Sequence, residues 1–343
     1  MCSSPWYHSD KTETNQILSS RVRLARNLEK YPFQRNLTEN DASSIVQDIN
    51  KIIGLMNKGG IFNELFLHEL DKFDYQIFLE KHILSPKFLT CELPKSLYTE
   101  EHKNISIMVN EEDHVRIQSI EPGRNLQSAF RSANRIDDLL EKRLDFAFHP
   151  DLGYLTSCPT NVGTGLRASF LIHLPCLDKT NLLKKLFPYI SKSGITLRGI
   201  YGEGTIPLGS LFQISNQITT GQTEEEIMKK LEDVTDNIIK RENQVMDKIL
   251  STRRDYLNDK VYRAYGILSS CRKISVNEAM NLLSDIRLGY FAKILDMPKP
   301  EKRIYQIMME IQPGHLLGLT RLRITEAQVD IVRAEFLRRI FKS

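Results

Sequence analysis

The stretch Gly153-Tyr154-Leu155-Thr156-Ser157-Cys158-Pro159-Thr160-Asn161-Val162-Gly163-Thr164-Gly165-Leu166-Arg167-Ala168-Ser169 decides how the chain is read. Tyr154 to Thr156 suit a strand, and Pro159 and Asn161 end it at once. Gly163 and Gly165 let the backbone turn where a side chain would block it. Leu166 and Arg167 then open a second strand. A thiol held before such a loop, with the Arg167 guanidinium further along, suits a partly exposed thiolate beside bound charge. A lone cysteine in a turn is otherwise among the most buried residue types. The residues alone leave both placements open for Cys158.

Outward from this stretch, Ile17 to Arg26 reads as an extended segment, and Ile105 to Val109 and Val115 to Ile120 as strands around the acidic turn Asn110-Glu111-Glu112-Asp113. A helix is expected from Thr38, where Asp41 completes a cap and Ile45, Ile49, Ile52 and Ile53 share a face. Leu126 to Leu144 has a strong apolar stripe. A helix over Asp178 to Ile190, strands over Ile195 to Ile200 and Leu211 to Ser215, and a long helix from Thr223-Glu224-Glu225-Glu226 to Leu250 complete the pattern. The expected fold is α+β, an antiparallel sheet flanked by helices. Past Ser251 only helical periodicity remains (Tyr256–Ser269, Val276–Leu295, Glu301–Ile311, Thr325–Phe341), punctuated by Pro298, Pro300, Pro313 and Gly314. The expected organisation is a polar tail over 1–16, a catalytic domain over 17–250 and an all-α C-terminal domain over 251–343.

Composition narrows the function. The chain has 343 residues, 41% hydrophobic and 26% charged, with a net charge of +4, which is too mild to imply nucleic acid. No apolar run approaches the ~20 residues of a membrane span, and Met1 to Leu18 lack the apolar core of a signal peptide. Cys2, Cys91, Cys158, Cys176 and Cys271 show no Cys-x-x-Cys spacing, so neither zinc nor a disulfide framework is indicated. A reducing cytoplasm is the expected setting.

Arginines recur at strand edges: Arg21 and Arg23, Arg116, Arg167, Arg198. Alternation places Arg21 and Arg23 on one sheet face. Guanidinia converging on one face repel unless a polyanion sits there, and arginine–phosphate contacts are the natural explanation. There is no Gly-x-x-x-x-Gly-Lys-Ser/Thr and no Gly-x-Gly-x-x-Gly, which argues against a P-loop or protein-kinase nucleotide site. Two acidic turns, Glu111-Glu112-Asp113 and Gly202-Glu203-Gly204, are expected to hold a cationic acceptor against the nucleotide. A guanidinium, with a pKa above about 12, attacks phosphorus only when carboxylates orient it and take its proton.

The strings Ser19-Ser20-Arg21-Val22-Arg23, Asn110-Glu111-Glu112-Asp113-His114-Val115-Arg116, Cys158 to Ser169 and Arg198-Gly199-Ile200-Tyr201-Gly202-Glu203-Gly204 occur in an order that closely resembles the guanidino kinases, that is, the phosphagen kinases and bacterial protein-arginine kinases of the McsB type. The helical C-terminal region and the short segment before Ser19 bring the resemblance nearest the protein-arginine kinases. Phosphagen kinases carry a helical domain at that point, which closes over a small guanidino substrate.

The resemblance implies catalytic roles for Glu112, Cys158 and Glu203. It implies ATP contacts along Ser19, Ser20, Arg21, Val22 and Arg23, at His82 and Arg116, along Arg167, Ala168, Ser169, Phe170 and Leu171, and along Arg198, Gly199, Ile200, Tyr201, Gly202 and Glu203. Mg2+ would be carried by ATP, with no metal ligands from the protein. Two departures stand out. Ile206 replaces a second acid of the phosphagen kinases. Val329 replaces the first arginine of an Arg-Asp-x-x-Arg-Ala phosphoarginine pocket, leaving Asp330 and Arg333 as its remaining members. The implied activity is ATP-dependent phosphorylation of arginine in proteins. The implied partners are arginine-bearing protein substrates, a ClpC-type unfoldase, a McsA-type activator and a second copy of the chain, with no nucleic acid and no membrane. A free-arginine kinase and a non-catalytic adaptor on the same fold are the alternatives.

Overall fold

The computed structural model describes residues 7, 16–57, 62–65, 70–100, 104–199, 208–298, 300–320 and 325–342. In chain order, β1 (Ile17–Arg26) leads to α1 (Glu39–Met56), β2 (Phe62–Leu65), α2 (Lys72–Glu80), α3 (Pro86–Thr90) and a meander of β3 (Ser96–Glu100), β4 (Ile105–Val109) and β5 (Val115–Pro122). Next come α4 (Leu126–Glu141), the hairpin β6 (Phe148–His149) and β7 (Gly153–Tyr154), then β8 (Leu166–His173), α5 (Pro175–Lys179) and α6 (Leu183–Lys192). β9 (Ile195–Gly199), β10 (Leu211–Asn216) and α7 (Glu224–Thr252) close this part. Among the described residues the remainder is helical: α8 (Arg254–Ser270), α9 (Val276–Phe291), α10 (Ile304–Glu310), α11 (Pro313–Thr320) and α12 (Glu326–Phe341).

Eight strands form one sheet in the order β2-β3-β4-β5-β1-β8-β10-β9, all neighbours antiparallel. Alternation gives it one apolar face. Val22, Leu24, Ile117, Ala168, Phe170 and Ile214 point to that face and are completely or almost completely buried under α1, α4 and α7. Each of these side chains larger than Ala168 contributes roughly 1.5–3 kcal/mol. Caps fix where two covering helices start: Thr38 accepts from Asp41 N at α1, and Thr223 and Glu226 form a reciprocal capping box at α7.

The opposite face is shared. Over β3 and β4, α2 and α3 pack through Leu84, Phe88, Leu97 and Met108. At the other end the C-terminal helices pack onto Leu18, Ile120 and Leu171. Between these two walls the face is lined by charge.

Several elements differ from expectation. The helix expected over Asp178 to Ile190 is two helices, split at Asn181, whose φ of 55° cannot continue a helix. The stripe beginning at Leu126 stays helical to Glu141. The strand expected over Tyr154 to Thr156 pairs only at Gly153 and Tyr154, because Leu155 and Ser157 direct their N–H groups to Ala147 O and Asp113. Pro313 and Gly314 open α11 rather than separating helices, since proline suits the first helical position.

Candidate active site

The register sets the charged face. Arg23 lies opposite Arg167 across β1 and β8, and Ala25, two residues on, lies opposite Arg116 on β5. Gln213 on β10 lies opposite both Leu171 and Arg198, and accepts from Arg21 Nη2 at 2.7 Å. Residues directly opposite in an antiparallel pair share a face. Arg21, Arg23, Arg116, Arg167 and Arg198 therefore form one cradle. Val22, Ala168 and Phe170, expected among the nucleotide contacts, point the other way into the core, as the period of two requires. Ser20 is also turned away, its hydroxyl donating to Gly123 O at 2.7 Å and accepting from Asn125 N at 2.8 Å. Ser19, Ser169 and Leu171 stay on the cradle side, where with Arg21, His82 and Gln213 they line a small cleft. Arg198 and Gly199 end β9 at the cradle edge, while Ile200, Tyr201, Gly202, Glu203 and Ile206 lie outside the described residues.

The cradle is a strained set of like charges. Burial, then Arg116 and Arg167, brings Arg21 down to about 10. Arg23 is pushed well below its ordinary value by burial and then by Arg21, Arg116 and Arg167. Arg167 is lowered by burial and by Arg198 and Arg116, with Cys158 and Glu112 acting in the opposite direction. Arg23 Nε and Arg167 Nε are buried without a partner. Orphaned guanidinium donors in a repelling cluster fit a polyphosphate, whose oxygens would satisfy both. His82 stands beside them, pushed down to about 3 by burial, Arg21 and Arg23, so its imidazole is neutral.

The three acids of the first turn separate. Glu111 is buried against Arg116, 2.6 Å away, and accepts from Ser85 Oγ. Burial alone would raise its pKa, but Arg116, Ser85 and the Glu112 N–H outweigh it and hold the carboxyl below its ordinary value. Asp113 turns inward, 3% exposed, and one of its oxygens accepts from Asn27 Nδ2 at 2.8 Å and Ser157 N at 2.6 Å. Only Glu112 presents a carboxylate to solvent, and it already holds a cation, Lys87 Nζ at 2.8 Å. The expectation that the whole turn faces an acceptor therefore narrows to Glu112. Asn110, at φ 59°, is the pivot that sends the three side chains apart.

Cys158 is partly exposed, its Sγ 3.1 Å from Thr160 Oγ1. Its loop is tightly held. A Cβ on Gly163 would lie 2.5 Å from Thr219 O, and one on Gly165 would lie 2.6 Å from Ala25 O, at φ values only glycine adopts freely. The buried Arg26 braces the same loop, paired with Asp137 at 2.6 Å, donating to Thr164 O at 3.0 Å and stacked on Tyr154. Because Asp113 bonds Ser157 N, Glu112 and Cys158 are each one residue from a shared hydrogen bond. This link is not visible in the sequence, since Asn27 stands outside every motif and nothing distinguishes Asp113 from the two acids before it.

Asp330 and Arg333, expected as an anion pocket, bond to each other at 2.5 Å. Arg333 is 1% exposed and also donates to Ile311 O at 2.9 Å and Ile274 O at 3.0 Å. Here it is a brace between chain segments, its Nε and Nη1 already committed.

Comparison with known proteins agrees with this geometry. Residues 44–245 match the ATP:guanido phosphotransferase C-terminal catalytic domain, and residues 254–343 match the protein-arginine kinase McsB C-terminal domain. A protein-arginine kinase of Pelotomaculum thermopropionicum is 43% identical over 341 residues, covering 98% of this chain and 96% of that one. The protein-arginine kinase of Bacillus subtilis is 39% identical over 337 residues, with 98% and 92% covered. Among solved structures, the duplicated taurocyamine kinase of Schistosoma mansoni superposes with a TM-score of 0.63 at 23% identity, covering 77% of this chain and 40% of that one. Lombricine kinase superposes with a TM-score of 0.59 at 23% identity, covering 69% and 68%. These two share the fold. With an arginine cradle, an acidic turn and a cysteine loop on that fold, and both halves matched, the chain belongs to the ATP:guanido phosphotransferase family, in the branch that carries the McsB C-terminal domain.

Proposed function

We propose that the protein transfers the terminal phosphoryl group of ATP to the guanidinium of arginine residues in proteins. The observation that carries this reading is that Glu112 and Cys158, on two turns joined by the Asp113–Ser157 hydrogen bond, both act on Arg167 of the cradle, in a chain similar over nearly its whole length to protein-arginine kinases. The cradle arginines bind the polyphosphate and offset charge on the phosphoryl group in flight, where positioning and electrostatics do most of the catalysis. Glu112 takes the substrate guanidinium in place of Lys87, fixes the plane of its fork and accepts the proton lost as the N–P bond forms and the bond to ADP breaks. Cys158 adds a polar edge to the same guanidinium, and Glu203 completes the clamp by resemblance to the family. Mg2+, bound with the nucleotide, supplies further charge neutralisation.

Protein substrates, marking for a ClpC-type unfoldase, stimulation by a McsA-type activator, a homodimer and a cytoplasmic setting belong to the same proposal. The catalytic domain over 17–250 and the C-terminal domain over 251–343 are its proposed units. Among the described residues no helix is long and apolar enough to cross a membrane.

The test is turnover with ATP on an unfolded arginine-rich protein and on free arginine at equal guanidinium concentration. The protein should be preferred at least tenfold in kcat/KM, about 1.4 kcal/mol in transition-state binding. Equal or better use of free arginine would replace this reading with a small-molecule kinase. No transfer to either would leave an adaptor.

A further inference from the structure

The two walls of the cradle meet at one carboxylate. Glu80 is the last residue of α2, and it reaches the first turn of α11 in the C-terminal helices. Its oxygens accept from Gly314 N at 2.7 Å, His315 N at 3.0 Å and His315 Nδ1 at 2.9 Å, while His315 Nε2 lies 2.8 Å from Tyr7 Oη. Both side chains are close to buried, Glu80 at 10% and His315 at 9%. A carboxylate on the open N–H groups of a helix start is favoured by hydrogen bonding and by the helix dipole.

Two residues further on is His82. It follows the cap residue Lys81 of α2, with φ 57°, and the paired bonds His82 N to Leu79 O and Ile83 N to Phe78 O, each 2.9 Å, close the helix around it. That position usually holds glycine. A histidine there works against its own backbone preference. The place of His82 is therefore set by where α2 ends. His82 also shares the cleft with Ser19, Arg21 and Ser169, and its O accepts from Gln118 Nε2 at 2.7 Å.

We propose that Glu80 is a positioning residue of the nucleotide site, through which the C-terminal helices set His82 against Arg21 and Arg23. The inference rests on the reading of that face as the nucleotide site. It makes α11 part of the ATP-binding structure, so a displacement of α11 alters nucleotide affinity before it alters the guanidinium side.

The test uses the full chain and ADP binding by calorimetry, with KM for each substrate and kcat, on wild type, Glu80→Ala, Gly314→Ala, His82→Ala and the Glu80→Ala/His82→Ala double variant. A Cβ on Gly314 would lie 2.8 Å from Glu80 Oε2, so Gly314→Ala disturbs the contact. Alanine is otherwise well accepted in a helix, so this variant remains informative if Glu80→Ala does not fold. Expected are a fivefold or greater rise in Kd for ADP and in KM for ATP for both contact variants, with KM for the arginine substrate and kcat at saturating ATP within threefold. The double variant should bind ADP within twofold of His82→Ala, because the two residues act as one unit. Wild-type ADP affinity in Gly314→Ala and Glu80→Ala, with His82→Ala weakened, would overturn the proposal alone, as would additive losses. Wild-type affinity in His82→Ala would instead remove His82 from the nucleotide site, and this proposal with it.

Discussion

Arg23 is the residue in which the conflict of the cradle is sharpest. Its charge faces Arg21, Arg116 and Arg167, and its buried Nε has no partner. Glu112, at the other side of the site, is paired among the described residues with the exposed Lys87. The two should therefore fail differently. Arg23→Ala relieves repulsion in the free protein, so its melting temperature without nucleotide should be unchanged or higher, while the stabilisation given by ADP shrinks. A lost charge-assisted contact is worth ~1.5–3 kcal/mol, roughly ten- to hundredfold in affinity. Glu112→Gln should keep ADP affinity within threefold and lower turnover by ~10²–10⁴, as loss of an orienting base does. Thermal shift and steady-state kinetics on the two variants separate these roles. Interchanged signatures would mean that the phosphate and guanidinium ends have been assigned the wrong way round.

At the scale of elements, the site depends on two turns that approach each other from sequence-distant hairpins. The turn after β4 and the one before Cys158 are joined by Asp113, with Asn27 bonding both Asp113 and Leu155 O, and accepting from His114 N. Burial raises the Asp113 carboxyl against the lowering effect of these bonds, so what the site needs from it is an acceptor more than a charge. Asp113→Asn keeps an acceptor and should retain turnover within about fivefold. Asp113→Ala frees both turns and should lower kcat/KM for the arginine substrate by ~10²-fold, the scale of a misplaced reacting group, with ADP affinity little changed. Equal kinetics for the two would show that the brace does not position the site. None of this was legible in sequence, because three successive acids look alike until the turn at Asn110 separates their directions. The arginine cradle was legible, since alternation on β1 and the β5, β8 and β9 positions suffices to predict a shared face. The strong stripe of α4 and the capping sequence of α7 were equally plain. The four-residue β2, the five-residue α3, and α2 with its mixed aromatic sequence Lys72-Phe73-Asp74-Tyr75-Gln76-Ile77-Phe78-Leu79-Glu80 carried too little periodicity to be seen. That gap hid the wall that bears His82.

Across the whole molecule, three buried histidines must stay neutral, and one of them, His173, locks the sheet to α9 of the C-terminal helices. His173 lies at 2.8 Å from Ser284 Oγ and at 2.7 Å, through Nδ1, from Arg287 Nη1, so Nδ1 accepts and a proton there would face a guanidinium. His114 Nδ1 accepts from Leu28 N at 3.0 Å, which leaves Nε2 to donate to Pro32 O. Burial pushes His114 down to about 4 and His82 to about 3, and with Arg287 it holds His173 well below the ordinary value. A group whose folded pKa is depressed stabilises the fold above its unfolded pKa, near 6.5. That stability is lost as pH falls from 6.5 toward the folded values. Each such histidine adds a slope of up to ~1.4 kcal/mol per pH unit in that window. Glu242 opposes them. Burial raises it to about 7 although it accepts from Cys176 N and Leu177 N, so acidification through that range favours the fold here, as it does lower down at the raised carboxyls of Asp113, Glu121 and Asp137. With three histidines set against Glu242 in that window, urea midpoints should decline between pH 6.5 and 5. His173→Gln offers an acceptor to Arg287 and a donor to Ser284 without titrating, so its decline should be shallower than that of the wild type. A wild-type midpoint that holds or rises from pH 7 to 5 would mean that these histidines are not kept neutral by the fold. The docking of the C-terminal helices onto the sheet would then lack the electrostatic lock described here.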